Sequence, residues 1–148
     1  MEQYPVHRMI DLTVQPLRSY SCQAGKVDIW CPAPALMVTR VTGTLVTEGA
    51  TAIEEVMLRR AAEDGRLLVF NDWEQMNDYE QAARTRLTEA SRSILETLDG
   101  GHFLLRSRVV VFGVQVANAA LRKLAVHPSR ASFERSLGDA LRERGPAV

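Results

Sequence analysis

The chain has 148 residues, of which 46% are apolar and 24% are charged, and its formal net charge is zero. This length and composition predict a single soluble globular domain with a substantial hydrophobic core. The balanced charge argues against nucleic acid and acidic lipid as partners, because both attract strongly basic proteins.

The sequence carries no signal for export or membrane insertion. The N-terminal stretch MEQYPVHR lacks the apolar core of a signal peptide, and the longest apolar run, at residues 109–114, is far too short to span a bilayer. We therefore expect a cytoplasmic protein with no membrane span. Cys22 and Cys31 are too few for a disulfide framework, and two reduced thiols are a simpler interpretation than a bridge across a hairpin.

The N-terminal part of the chain predicts strands. Residues 1–34 contain strand-like patches at 8–14 and 20–30, which prolines and a glycine interrupt. Residues 36–43 are rich in β-branched side chains and are bounded by a proline and a glycine. This pattern predicts a core strand.

Helices and strands alternate from there on. Residues 48–64 predict a helix with one apolar face that a glycine stops, and residues 67–70 predict a short buried strand. The longest helix is predicted at residues 78–98, where apolar positions recur every three or four residues. Asn77 is expected to cap this helix, with Glu80 completing a pair that resembles a capping box.

The alternation continues to the C-terminus. Residues 103–106 predict a strand. Residues 108–125 are ambiguous because three consecutive valines favour a strand, but the second half is helical in character, so one helix with a buried beginning is preferred. Ser129 then opens a last helix. Elements in this order predict a largely parallel sheet that helices cover.

Residues 36–141 resemble the STAS / SpoIIAA-like group, the fold of the bacterial anti-sigma-factor antagonists. The matching segments are the strand LMVTRVTG, the helix at residues 50–62, the acid-ended strand LLVFND, the long helix, the strand HFLLR and the closing helix SFERSLGDAL. The resemblance implies a single α/β domain with a four- to five-stranded, mostly parallel sheet covered by helices. It also implies a binding or regulatory module rather than an enzyme, and we expect no cofactor.

On this basis the chain divides into three parts. Residues 1–34 are a β-rich extension of the same domain, residues 35–144 are the STAS/SpoIIAA-like core, and residues 145–148 are a frayed tail. One feature of the group is missing, since members that act as phosphorylation switches carry a serine after the acid-ended strand, where residues 75–79 read QMNDY. The closer resemblance is to SpoIIAA-like proteins of unassigned role, whose relatives include lipid-cradling Sec14-type domains.

Polar residues after the strand at 67–70 form the first candidate site. Asp72, Trp73, Asn77 and Asp78 lie where open α/β folds place ligand or partner contacts. Trp73 either anchors a partner at an exposed junction or folds back over the core. Asp72, Glu74 and Asp78 either bind a cation or supply a general base, but the preferred interpretation is that Asp72 closes the strand and Asp78 complements the helix dipole.

Ser107 and Arg108 form the second candidate site, before the apolar helix. Backbone N–H groups there either receive an anion, helped by Arg106 or Arg108, or are simply capped by the serine, which is the preferred interpretation. No metal site is predicted, because His7, His102 and His127 lack the spacing of metal ligands. No residue is assigned a catalytic role.

Residues 109–116 are unusually apolar for a helix. They predict a homodimer contact or a pocket for an apolar ligand, with burial inside the monomer as the alternative. The sequence therefore predicts a non-enzymatic binding or regulatory module that engages a protein partner, or a second copy of itself, through the junction at residues 72–77. A carrier of a small apolar molecule or lipid is the alternative function, and a hydrolase using Asp72 or Asp78 is a weaker one.

Overall fold

The computed structural model describes residues 15–145. They form a sheet of seven strands in the order β1-β2-β3-β4-β6-β7, and β5 pairs with β3 beyond the end of β4. In chain order the elements are β1 (Arg18–Ser21), β2 (Gly25–Ala33), β3 (Leu36–Leu45), α1 (Thr47–Asp64), β4 (Leu67–Trp73), β5 (Met76–Tyr79), α2 (Gln81–Ser93), β6 (Leu98–Leu105), α3 (Arg108–Leu121), β7 (Leu124–Val126) and α4 (Arg130–Arg144).

The strand pairings confirm the predicted α/β class. β3 pairs in parallel with β4 and β5, and β6 pairs in parallel with β4 and β7. β1 pairs with β2, and β2 with β3, in the antiparallel sense. The sheet is therefore mixed and larger than the four or five strands expected, because the N-terminal extension adds a hairpin directly to its edge.

Helices cover the two faces of the sheet unequally. Side chains alternate across β3, so Met37 and Val41 join a cluster with α1, α2 and α3, while Leu36 and Val38 join a smaller cluster with α4. We call these sides the three-helix face and the α4 face. Within the described residues, no helix combines the length and the apolar character needed to cross a bilayer.

Several predicted helix boundaries are confirmed. α1 ends at Gly65, whose left-handed backbone, with φ of 75°, allows its N–H to bond the carbonyl of Ala61. Ser129 caps α4 by accepting a hydrogen bond from the backbone N–H of Ser132. The ambiguous segment at residues 108–125 is a helix up to Leu121, followed by the short strand β7.

The predicted helix at residues 78–98 is wrong at both ends. Residues 76–79 form β5, and α2 occupies only Gln81–Ser93. Tyr79 and Leu98 continue the helical spacing of apolar residues, but both pair with neighbouring strands, so sheet pairing overrides the local pattern. Gly100 and Gly101, which follow the predicted helix in sequence, lie within β6.

The expected capping of α2 by Asn77 is also wrong, because Asn77 lies inside β5. Glu80 precedes α2 but makes no side-chain cap with it. Its carboxylate instead accepts hydrogen bonds from the backbone N–H and the hydroxyl of Thr47, at 2.7 and 2.8 Å. Glu80 thus caps the beginning of α1, and these hydrogen bonds lower its pKa.

The predictions for the N-terminal part of the chain concern two strand-like patches and two cysteines. The strand-like patch at residues 8–14 lies outside the described residues. The patch at residues 20–30 forms part of the β1–β2 hairpin. Cys22 is exposed and Cys31 is partly buried, and both are free thiols, with burial raising the pKa of Cys31.

Candidate functional site

Trp73 belongs to the core, which decides between its two interpretations. β4 continues three residues beyond its predicted end. Its last residue, Trp73, packs on the three-helix face and is only 7% exposed. Its indole N–H donates to the hydroxyl of Thr39 at 2.9 Å, and its ring meets Phe103 edge-on at 5.1 Å. The prediction of an exposed junction at Trp73 is therefore wrong.

Polar residues in β4 find partners inside the sheet. Thr39, buried on the neighbouring strand, donates to the side-chain oxygen of Asn71 at 2.7 Å, and the amide of Asn71 donates to the carbonyl of His102 at 3.3 Å. Buried polar groups are tolerated when they are bonded in this way. A stretch that looks like the end of a strand is thus a continuous buried strand.

Asp72 is 2% exposed and points to the α4 face, where two arginines hold it. One carboxylate oxygen accepts from Arg40 at 3.1 and 3.2 Å, and the other accepts from Arg130 at 2.9 Å. Arg130 also bonds Glu74 and Glu134. Burial opposes the charge of Arg130, but these carboxylates outweigh it and raise the pKa of its guanidinium.

This network links β3, β4 and the first turn of α4. It favours the structural interpretation of Asp72, because guanidinium groups occupy both carboxylate oxygens. Among residues 15–145, no three acidic, histidine or cysteine side chains are placed to hold a metal ion.

The remaining candidate residues lie together at one edge of the structure. Asn77 and Asp78 on β5 are exposed, and the hydroxyl of Ser107 donates to the carbonyl of Asn77 at 3.4 Å. Ser107 also caps α3 by accepting from the N–H of Val110, as preferred from the sequence, and Arg108 beside it is exposed. Asn77 and Asp78 of the first candidate site thus share one surface with Ser107 and Arg108 of the second.

The outer side of α3 extends this surface with apolar groups. Val109, Phe112 and Val116 are 50%, 64% and 39% exposed and recur at helical spacing. On the inner side, Gly113 allows close contact with β5, since a Cβ atom there would lie 2.7 Å from the phenol oxygen of Tyr79. We call this region the β5–α3 surface, and it comprises Asn77, Asp78, Ser107, Arg108, Val109, Phe112 and Val116.

A cavity of about 80 Å³ lies under α3, between α2, α3 and the sheet. Its walls are mainly apolar and include Trp73, Phe103, Val110 and Val114. A second cavity of about 60 Å³ has several of the same wall residues. The inner side of the segment at residues 109–116 thus borders a small, mainly apolar cavity.

His102 and His127, which lie 25 residues apart in sequence, form a pair on the α4 face that no sequence pattern predicts. His102 Nδ1 and His127 Nε2 lie 2.8 Å apart, and His127 Nδ1 lies 2.8 Å from the hydroxyl of Ser132. The His102 ring stacks on Phe70 with a centroid distance of 4.3 Å. Burial lowers the pKa of both imidazoles, and their mutual repulsion lowers that of His102 further.

No family model matches the chain, and no curated protein matches it. Among solved structures, the chain is similar to an uncharacterised protein of the DUF3478 family with a SpoIIAA-like fold, from Shewanella loihica PV-4. The two sequences are 10% identical, and the match has a TM-score of 0.61 and covers 80% of this chain and 98% of the other. At so low a sequence identity, the match supports the fold alone. Residues 15–145 of the protein have the SpoIIAA-like α/β fold.

Proposed function

We propose that the protein is a non-enzymatic binding or regulatory module of the cytoplasm that engages a protein partner through the β5–α3 surface. The observation that carries this proposal is the exposed apolar stripe on α3. Phe112 is the most exposed large apolar side chain of the described residues. Large exposed aromatic residues are frequent anchors of protein interfaces.

Polar residues flank this stripe in the manner of an interface rim. Asp78 and Arg108 are both exposed, and they carry opposite charges on the same surface. A twofold dimer places each patch against its own copy, so Arg108 of one subunit has Asp78 of the other as an available partner. A second copy of the chain is therefore the simplest candidate partner.

Asp72 and Trp73 are expected to stabilise the fold rather than to contact the partner. Trp73 lies in the core beneath α3, and Asp72 fixes α4 on the opposite face of the sheet. The binding energy is expected to come from Phe112 and its apolar neighbours, with Asn77, Asp78, Ser107 and Arg108 at the rim.

Replacing Phe112 by aspartate tests this surface. Sedimentation velocity at high protein concentration should show a dimer of the wild type, and Phe112→Asp should shift it to monomer because a charge enters an apolar interface. Leu17→Asp is the matched control, because Leu17 is 57% exposed and lies next to the edge strand β1, outside the β5–α3 surface. A wild type that remains monomeric, or a dimer that survives Phe112→Asp, would reject self-association through this surface.

A second candidate function, a carrier of a small apolar molecule, is favoured by the cavity under α3. Its walls include residues of α2, α3 and the sheet, and Val110 and Val114 come from the segment at residues 109–116. Native mass spectrometry of freshly purified protein should then detect a retained small molecule. A mass spectrum of the bare chain alone would count against a tightly held cargo.

A further inference from the structure

A chain of side-chain hydrogen bonds on the α4 face ends at a serine hydroxyl. His102 lies on β6, His127 lies in the loop between β7 and α4, and Ser132 lies in the first turn of α4. The Nδ1 atom of His102 is 2.8 Å from Nε2 of His127, whose Nδ1 atom is 2.8 Å from the hydroxyl of Ser132. A hydroxyl bonded to a base that a third group orients is the arrangement found at activated nucleophiles.

The hydrogen-bond partners fix the direction of these bonds. Among residues 15–145, the hydroxyl of Ser132 has no acceptor for its proton except Nδ1 of His127. A neutral imidazole carries one N–H, so His127 then has its proton on Nε2 and donates it to Nδ1 of His102. Burial lowers the pKa of both imidazoles, which are therefore uncharged at neutral pH and leave His127 able to take up a proton.

Aromatic contacts hold the two imidazole rings while the hydroxyl stays accessible. His102 stacks on Phe70 with a centroid distance of 4.3 Å, and His127 meets Phe133 edge-on at 5.8 Å. His127 and Ser132 are themselves only partly buried. A reagent in solution can therefore reach a hydroxyl whose base is already in place.

The first turn of α4 also offers N–H groups to a developing negative charge. The N–H of Ser132 bonds the side chain of Ser129, but those of Arg130 and Ala131 have no acceptor among residues 15–145. The beginning of a helix favours negative charge, and free N–H groups stabilise the oxyanion of an acyl transfer.

We propose that Ser132 is an acylation site that takes one acyl group from an activated ester, with His127 as the general base and His102 as a positioning residue. The Ser132 oxygen forms a bond to the carbonyl carbon of the ester and passes its proton to Nδ1 of His127. The bond from that carbon to the leaving oxygen breaks, and the leaving oxygen takes the proton from His127. The products are an acyl-serine and an alcohol.

This inference goes beyond the proposed binding function, because the modified residue lies on the other face of the sheet from the β5–α3 surface. It requires one acyl transfer per chain and no turnover. A binding module with an acylation site on α4 would still bind its partner through α3.

Peptide mapping of the full chain after reaction with 4-nitrophenyl acetate tests the site. Trypsin releases Ser132 in the peptide ASFER, at residues 131–135, and Ser136 in the peptide SLGDALR, at residues 136–142. The serine is the only hydroxyl in each peptide, and neither peptide contains lysine, histidine or cysteine. Ser136 is the matched control, since it is partly buried one helical turn further along α4 and its hydroxyl has no partner among residues 15–145. We expect an acetyl group on residues 131–135 and none on residues 136–142.

Variants test the roles of the two histidines. Ser132→Ala should abolish the label, whereas Ser136→Ala should leave it unchanged. His127→Gln should slow the acetylation of Ser132 about 100-fold, the lower end of the usual contribution of a general base. His102→Gln keeps an acceptor for the N–H of His127 and should retain most of the rate, whereas His102→Phe removes the acceptor and should lose it.

The outcomes separate activation from a structural hydrogen bond. Absence of an acetyl group on residues 131–135, or equal labelling of the two peptides, would overturn the site. An unchanged rate in folded His127→Gln would overturn it too, and equal rates in the two variants of His102 would remove only the positioning role. If a histidine variant does not fold, the comparison of the two wild-type peptides decides the proposal alone.

Discussion

Three helices cover one face of the sheet and α4 alone covers the other, and the two faces bury different kinds of side chain. The three-helix face holds an extended apolar cluster whose buried residues come from β2 to β6, with Tyr20 of β1 and Leu124 of β7 packed against it. The α4 face holds a smaller apolar cluster, next to the Asp72 network and the His102–His127 pair. One face therefore depends mainly on apolar area, and the other depends also on directional polar bonds.

This difference between the two faces indicates which helix is expected to take part in binding. Apolar packing is non-directional, so the three-helix face tolerates a cavity under α3 and still remains well buried. Ion pairs and hydrogen bonds fix α4 in one position, because Asp72 must meet Arg40 and Arg130 together. We therefore expect binding to involve α3, and α4 to serve mainly as a structural helix.

Truncating Trp73 should have the largest effect on stability. Trp73→Ala should lower the free energy of unfolding by about 3–5 kcal/mol, because it removes a core aromatic residue beside an existing cavity. Urea denaturation followed by circular dichroism measures the change. Trp73→Phe is the control, since it keeps the contact with Phe103 and should cost about 1–2 kcal/mol for the lost indole bond to Thr39. A loss below about 1 kcal/mol in Trp73→Ala would mean that the side chain of Trp73 is exposed rather than buried in the core.

Neutralising Asp72 tests how much the polar network on the α4 face contributes to stability. Asp72→Asn should lower the free energy of unfolding by about 2–3 kcal/mol, less than for a fully buried pair because Arg40 and Arg130 retain contact with water. Asp139→Asn is the control, since Asp139 pairs with Arg142 at the exposed surface and its loss should cost about 0.5 kcal/mol or less. Equal losses in the two variants would show that the network does not hold α4.

α1 and α4, which local pattern specifies, were predicted correctly, and a helix was the preferred interpretation of the ambiguous segment that forms α3 up to Leu121. α1, α3 and α4 each combine helical spacing with a cap, and these signals lie within a few residues of one another. β5 was missed because its evidence is not local. It pairs with residues 43–45 of β3 and contains only four residues, so its sequence looks like the first turn of α2.

The candidate site shows the same limit. Asn77, Asp78, Ser107 and Arg108 were identified by residue type, but their meeting at one surface follows from the position of β5 beside α3. Asp72 and Trp73 were expected at a junction because polar residues usually mark the end of a strand. The arginine that completes the network around Asp72 lies 58 residues away in sequence, which no local pattern reveals.

The histidine pair was missed for the same reason, and it leads to a prediction with a smaller effect. The pKa of both His102 and His127 is lowered from the ordinary value of 6.5. Below that pH the unfolded chain binds protons that the folded protein resists, so the free energy of unfolding should fall as the solution is acidified. Urea denaturation at about pH 7.5 and about pH 5.5 measures this loss. The double variant His102→Gln/His127→Gln should show a smaller loss over the same interval.

The location of the acid effect distinguishes the two faces. Because His102 and His127 contact Phe70, Phe133 and Ser132 on the α4 face, acidification should weaken the attachment of α4 before it affects the helices of the three-helix face, such as α1. Amide hydrogen exchange at about pH 5.5, corrected for the intrinsic dependence of exchange on pH, should therefore show lost protection in α4 and little change in α1. Equal loss in all helices would mean that the faces unfold as one unit. In that case the polar bonds under α4 contribute to global stability rather than to the separate positioning of that helix.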